Sequence, residues 1–445
     1  MKARFLHVAD CHLGYQQYNR VERFNDFARA FSSIINVAIE EQVDFVLLAG
    51  DLFHKRSIDA LSLDLAISIL RRLQKADIPC IAVEGNHELS YYDHFLGWVQ
   101  FLARQGLLKL LSPQWDEGAP QLLPYQRNRG AYIDPVPGCR IYGMKYMGSS
   151  TARTLADYAE ALASMPDEGI EYTIFMAHTG VEGVLSSEVG GLTHRQLAVL
   201  RPHVDYLALG HIHKPFDIDN WIYNPGSPES CSFTEAEWKE RGYYLVEVDT
   251  DGIEGAKEQK HKATLHANPR RTFHHFTVKV DHYPSPAALL EYCQEFLLRK
   301  ARDLGIPIDE IEAGDHEERE QLGRGLQADD APVVELLLMG VLPFNRADLE
   351  LRPIEEMLQR IFKPLYLQVR NLSSSVSTDI TTDERMSRPE LEQQVLTRLF
   401  SQDARFSEQD ESWAKMAITL KNLSLSGSTA ENVLETLSEL LQGVE

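Results

Sequence analysis

Short apolar runs alternate with helically spaced apolar positions through the first ninety or so residues. Residues 4–9 (RFLHVA) run apolar up to Asp10, residues 45–49 (FVLLA) up to Gly50-Asp51, and residues 80–83 (CIAV) up to Glu84-Gly85-Asn86-His87. Between them Phe24, Phe27, Ala28, Phe31, Ile34, Ile35 and Ala38 recur at helical spacing, as do Leu63, Ala66, Ile67, Leu70 and Leu73. Strand, helix, strand, helix, strand predicts an α/β layout with buried strands. The pattern resumes at residues 173–177 (TIFMA), before His178, and at 206–209 (YLAL), before Gly210-His211-Ile212-His213. Residues 243–248 (YYLVEV) alternate as a strand. Ligands of open α/β sheets bind beyond the carboxyl ends of the strands, so the polar residues closing these runs are expected along one edge.

The stretch 250–272 is polar and basic, and a second, smaller α+β unit follows it. Residues 276–280, 333–338 and 366–369 read as strands, and 287–302 and 347–362 as helices. Residues 309–330 carry nine acids against two arginines and read as a solvated loop. Residues 373–389 are rich in Ser and Thr and end in Pro389, the composition of a linker. Amphipathic helices are predicted beyond it. One carries Leu391, Val395 and Leu399, another Trp413, Met416, Ala417 and Leu420. A third opens on the capping box Ser428-Thr429-Ala430-Glu431 and carries Val433, Leu437, Leu440 and Leu441.

The 445 residues suggest two or three domains at about 150 residues each. The net charge of −22 means that surface charge alone would not hold nucleic acid; metal ions or a partner would have to supply positive charge. No apolar run reaches the ~18 residues of a membrane span. The opening MKARFLHVADCHLG is too soon interrupted by charge for a signal peptide. Five scattered cysteines without C-x-x-C spacing argue against a disulfide framework or zinc ribbon and fit a reducing cytoplasm.

Asp10-Cys11-His12, Gly50-Asp51, Gly85-Asn86-His87-Glu88, His178 and Gly210-His211-Ile212-His213 bring carboxylate, imidazole and amide oxygen to the strand ends. That mixture suits manganese, iron or zinc better than calcium. Seven donors exceed the needs of one ion, and a shared carboxylate would seat two ions roughly 3.5–4 Å apart. Each residue alone has an ordinary reading: Asp10 as a helix cap, Asn86 as a turn residue, His178 as a satisfied core histidine. Five such segments in order, each after an apolar run, outweigh those readings. His7 lies inside its strand and reads as core. Arg127, Arg129, Arg270 and Arg271 are candidates for DNA phosphate contacts, with solvated turns as the alternative.

The series D-x-H, G-D, G-N-H-E, a lone H and G-H-x-H resembles the calcineurin-like metallophosphoesterase superfamily. Asp10-Cys11-His12-Leu13-Gly14-Tyr15 and Gly50-Asp51-Leu52-Phe53-His54 resemble the SbcD nuclease family more closely, and the motifs cover residues 1–230. The resemblance implies an α/β fold, a four-layer metallophosphoesterase β-sandwich flanked by helices, over residues 1–265. It further implies a smaller α+β capping, DNA-binding domain at 272–372, a linker at 373–389 and a helical ATPase-partner-binding region at 390–445. One ion would be held by Asp10, His12, Asp51 and His213, the other by Asp51, Asn86, His178 and His211, with Asp51 bridging and manganese the expected metal. His87 resembles the family's phosphate ligand and proton donor. His54 resembles the histidine that positions the substrate phosphate for exonuclease action.

The implied function is a cytoplasmic metal-dependent DNA nuclease subunit acting in double-strand-break repair. It would be a 3′→5′ exonuclease on duplex ends and an endonuclease on single-strand or hairpin DNA, a homodimer working with an SbcC-type coiled-coil ATPase. One rival is a phosphoprotein phosphatase or cyclic-nucleotide phosphodiesterase with the same metal core; the extra domain, His54 in G-D-L-F-H and the D-x-H-L-G-Y opening count against it. Another is a non-catalytic scaffold, which the full donor set disfavours.

Overall fold

In the computed structural model, the structure describes residues 1–89, 96–166, 168–184, 191–253, 259–307, 331–375, 387–401, 406, 409–425 and 429–442. The acidic loop at 309–330, most of the expected linker at 373–389 and Ser428 of the expected capping box lie outside them. No described helix is long and apolar enough to cross a membrane.

The strands are β1 (Lys2–Val8), β2 (Phe45–Leu48), β3 (Cys80–Ala82), β4 (Lys109–Leu110), β5 (Gln114–Asp116), β6 (Ala119–Gln121), β7 (Tyr132–Val136), β8 (Cys139–Met144), β9 (Tyr172–His178), β10 (Tyr206–Gly210), β11 (Phe216–Ile218), β12 (Ile222–Asn224), β13 (Gly242–Asp249) and β14 (His261–Ala267). Helices α1 (Val21–Glu40), α2 (Ala60–Lys75), α3 (Trp98–Arg104), α4 (Thr151–Ala163) and α5 (His194–Leu197) are interleaved with them. One six-stranded sheet runs β14-β13-β1-β2-β3-β4 and a second runs β11-β12-β10-β9-β8-β7. Within them β1, β2, β3 and β4 are parallel neighbours, as are β8, β9, β10 and β12.

Alternation along β1 explains the layering. Phe5 joins Ile141, Tyr172, Ile174 and Tyr206 in the core between the two sheets. Its neighbour Leu6 joins Phe31, Ile34 and Ile35 of α1 and Leu70 and Leu73 of α2 on the opposite face. The outer face of the second sheet is covered in the same way, with Phe175 and Leu207 against Leu155 and Tyr158 of α4 and Leu197 of α5. Successive strand residues point to opposite faces, so strands with both faces covered read as continuous apolar runs. The expected four-layer sandwich is what the chain forms. His7 is fully buried, its ring nitrogens 3.0 Å from the Tyr206 hydroxyl and 3.0 Å from the Leu209 carbonyl, as a core histidine should be.

The polar stretch 250–272 is not merely a connection. It contains β14, which pairs antiparallel with β13 at the sheet edge, where an edge strand can leave one face to solvent. Next come β15 (Phe273–Lys279), α6 (Pro286–Asp303), β16 (Val333–Met339), β17 (Val341–Leu342), α7 (Arg352–Phe362), β18 (Tyr366–Asn371) and β19 (Ser374–Ser375). Strands β15, β16 and β18 form a three-stranded sheet, with Phe276 of β15 against Phe296 of α6 and Phe362 of α7. The predicted helix at 347–362 starts only at Arg352, where Pro353 occupies the first turn, the one helical position that needs no N–H.

By packing, the chain divides into two compact units. The first comprises Met1–Val278, Leu290–Leu338 and Leu351–Leu372; the second comprises Lys279–Leu289, Met339–Glu350 and Ser373–Glu445. The second contains α8 (Arg388–Ser401), α9 (Asp410–Leu425) and α10 (Ala430–Gln442). There Trp413 packs edge-on to Phe406, which packs on Phe400, while Ala414 and Met416 are buried and Leu399 stays exposed.

Candidate metal centre

Five strand ends of the first unit deliver the donors. Asp10 and His12 follow β1, Asp51 follows β2, Asn86 follows β3, His178 ends β9, and His211 and His213 follow β10. The chain turns sharply at these points, and Asp10, His12, Asp51 and His211 all take positive φ, a conformation that side chains other than glycine adopt at a cost. Backbone bonds lock the turns: Asp10 N–H donates to the Gly50 carbonyl at 3.1 Å and His12 N–H to the Asp51 carbonyl at 3.0 Å.

The two sheets meet at these side chains. His178 Nδ1 is held by the Ala49 carbonyl at 2.8 Å, which turns Nε2 to within 3.2 Å of Asp51 Oδ2 and 3.1 Å of Asn86 Oδ1. Asn86 Oδ1 also lies 3.0 Å from His211 Nδ1. His12 Nε2 faces His213 Nε2 at 3.0 Å. One nitrogen of each of these rings is thus aimed at another donor. Asp10, His12 and Asp51 offer atoms within 4.8 Å of one another. His12 Nδ1 and His54 Nδ1 are buried without a hydrogen-bond partner among the described residues. Lone pairs converging on one point, with carboxylates between them, fit divalent cations better than they fit each other.

Burial and neighbouring charges shift the ionisable groups of this cluster strongly. Burial pushes the Asp10 carboxyl up to about 6, although His178 and His213 pull it down. Burial would raise Asp51 as well, but the adjacent His178 charge and hydrogen bond hold it below the usual carboxylate range. Burial opposes protonation of His178, yet Asp51 beside it lifts that histidine to about 9. His211 falls to about 4 through burial and the nearby His178 charge.

Around this centre stand residues that motif spacing did not single out. Glu235 Oε1 lies 2.9 Å from His213 Nδ1, while its Oε2 accepts from Arg241 at 2.6 Å and from the Cys231 N–H at 2.9 Å. A carboxylate behind a ligand histidine fixes its tautomer and aim. Glu235 lies 22 residues beyond His213, at no spacing that marks it in the sequence. Glu88 closes the G-N-H-E segment. It is buried and accepts N–H bonds from Asp51, Phe53 and Gly85, tying two of the strand ends together.

His87 and His54 lie beside the donors. The His87 N–H donates to Asp51 Oδ1 at 3.0 Å, its Nδ1 is 2.6 Å from the His54 carbonyl, and its Nε2 is 3.9 Å from Asp51 Oδ2. The His54 ring stacks on Tyr15 at 3.7 Å, and burial lowers it to about 4. Both histidines line a cleft of about 440 Å³ together with Lys55, Arg56, Ser57 and Asn86.

The four candidate arginines are far less alike in placement. Arg127 and Arg129 are exposed on a tight turn. Arg270 is half-buried and donates to the Trp238 and Lys239 carbonyls. Arg271 is 7% exposed and bonds Asp26 at 2.5 Å and the Ala331 carbonyl at 2.6 Å. Asp26 also pairs with Arg23, and Arg23 with Glu229, so the Arg271 charge is committed to a buried ion network. That placement leaves it no surface from which to meet a phosphate.

Comparison with known proteins places this geometry. The chain is 30% identical over 255 residues to the DNA double-strand break repair protein Mre11 of Saccharolobus solfataricus, a stretch of 56% of this chain and 61% of that protein. It is 31% identical over 238 residues to the protein of the same name from Archaeoglobus fulgidus, covering 52% of each. For the Halobacterium salinarum protein the figures are 31% over 256 residues, 56% of this chain and 57% of that one. The similarity thus spans little more than half the length of these relatives. Residues 3–215, which contain all seven donors, match the calcineurin-like phosphoesterase family.

Proposed function

We propose that this chain is the nuclease subunit of a DNA end-processing enzyme. It hydrolyses phosphodiester bonds as a 3′→5′ exonuclease on duplex ends and as an endonuclease on single strands and hairpins. The observation that carries this reading is the convergence of Asp10, His12, Asp51, Asn86, His178, His211 and His213 beside a cleft lined by His54, His87, Lys55 and Arg56. The similarity to proteins named for DNA double-strand break repair supports DNA as the substrate.

The proposed metals are two manganese ions, one on Asp10, His12, Asp51 and His213, the other on Asp51, Asn86, His178 and His211. The chemistry they supply when bound is neutralisation of phosphate charge and a more acidic attacking water. The rest falls to side chains. Asp51, reached from both sheets, is placed to serve both ions. His87 has one ring nitrogen fixed on the His54 carbonyl, so the other faces the cleft, where a proton can be passed to the departing 3′ oxygen. His54, held flat against Tyr15, is placed to orient the phosphate. Lys55 and Arg56 supply positive charge at the cleft of an acidic protein.

The fuller reading takes residues 272–372 as a DNA-capping region and 390–445 as helices for an SbcC-type ATPase, in a cytoplasmic homodimer. Release of nucleotides from end-labelled linear duplex, measured with manganese and compared with hydrolysis of p-nitrophenyl phosphate esters, tests the substrate. Efficient ester hydrolysis with no attack on DNA would instead identify a phosphatase or small-molecule phosphodiesterase.

A further inference from the structure

Cys231 brings a soft donor to a centre of oxygen and imidazole donors. Its sulfur, a nitrogen of His12 and a nitrogen of His213 lie within 4.8 Å of one another. The other four cysteines are all buried, whereas Cys231 is only partly so. Its position is built rather than incidental. Its N–H donates to Glu235 Oε2 at 2.9 Å, and its carbonyl accepts from Gln17 at 2.7 Å. The preceding Ser230 is gripped by two fully buried arginines, with Arg23 on its carbonyl at 2.8 Å and Arg241 on its hydroxyl at 2.6 Å. Glu235 thus anchors both the Cys231 backbone and the His213 ring. His12, 1% exposed, completes the group with a ring nitrogen. Two imidazoles and a thiol within one coordination radius are a set that zinc and cobalt favour over manganese.

We propose that Cys231 is a sulfur ligand of the ion held by His12 and His213, so that this half of the centre prefers softer divalent ions than the other half. The inference rests on the two-metal reading above. When the metal–sulfur bond forms, the thiol proton passes to water and the sulfur donates its freed electron pair. The two ions of the pair then need not be the same element, and zinc would compete with manganese at one position only.

Cobalt(II) added to the metal-stripped full chain tests this without reference to activity. Calorimetry counts bound ions, visible absorption reports cobalt in ligand sites, and a near-ultraviolet sulfur-to-cobalt charge-transfer band reports the sulfur bond. The expected result is two bound ions with that band present. Cys231→Ser should keep both ions, lose the band, and shift the zinc-to-manganese affinity ratio at least about tenfold toward manganese. Two bound cobalt ions without the band, or a band that persists in Cys231→Ser, would overturn the Cys231 assignment and leave the metal centre standing. Failure to bind cobalt at all would overturn the metal centre itself, and the sulfur ligand with it.

Discussion

Asp51 is the residue on which the site converges. Its backbone is tied to Glu88, one carboxylate oxygen accepts the His87 N–H, and the other faces His178 from the second sheet. Asp51→Asn should therefore fold, lose most of its bound metal and lose nuclease activity; full manganese-dependent cleavage by the variant would refute the bridging role. His87 should behave differently, because only its backbone N–H hydrogen-bonds Asp51, while its ring bonds the His54 carbonyl and lines the cleft. His87→Gln should keep both ions, measured by calorimetry, while the rate falls on the order of 10²–10⁴. The donors were legible in the sequence because they cluster just after five apolar runs. Glu235 and Cys231 were not: they reach the site from a loop whose path is set by Arg23 and Arg241, and nothing in their spacing announces it.

Among elements, the ends of β2 and β3 pass so close that a side chain cannot fit between them. A Cβ on Gly85 would come 2.0 Å from Asp51 Oδ1, and one on Gly50, at φ +91°, would come 2.3 Å from His178 Nδ1. Gly85→Ala should displace the Asp51 carboxylate, cost roughly 1–3 kcal/mol in a denaturant melt, and lower metal affinity more than Asn86→Ala does. Equal metal affinity to the unaltered chain would show that the strand ends can part without consequence. Sequence reading found β1, β2, β3, β9 and β10 because both their faces are covered and their letters are mostly apolar, and β13 because its letters alternate. It passed over β4 to β8, among them the buried β8 whose run is broken by Arg140 and Gly143, the short β11 and β12, and β14, whose residues alternate in exposure at the sheet edge. Polar edge strands have no signature that separates them from loops.

On the scale of the whole molecule, the proposed metal donors and the three C-terminal helices fall in different compact units. If α8, α9 and α10 serve a partner, truncation at Ser387 should leave a folded protein. That protein should cleave single-stranded DNA with manganese and no longer co-purify with a coiled-coil ATPase. Undiminished co-purification would count against docking, and an insoluble product would mean that these helices are needed for folding.

The position of β1 has a consequence in time. It is the third strand of its sheet, and Lys2 to His7 pair with Asp249 to Tyr244 of β13. One side of the earliest strand of this sheet therefore waits for one of its last. At ribosomal rates of about 5–20 residues per second, that wait is roughly 12–50 s. Throughout it, a ribbon of phenylalanine, leucine and valine offers an open edge to any passing strand. The nascent chain should thus depend on chaperones during synthesis, and a fragment ending at residue 240 should aggregate although it holds all seven proposed metal donors. Restoring residues 241–267 should recover soluble protein, as sedimentation of the two fragments after expression would show.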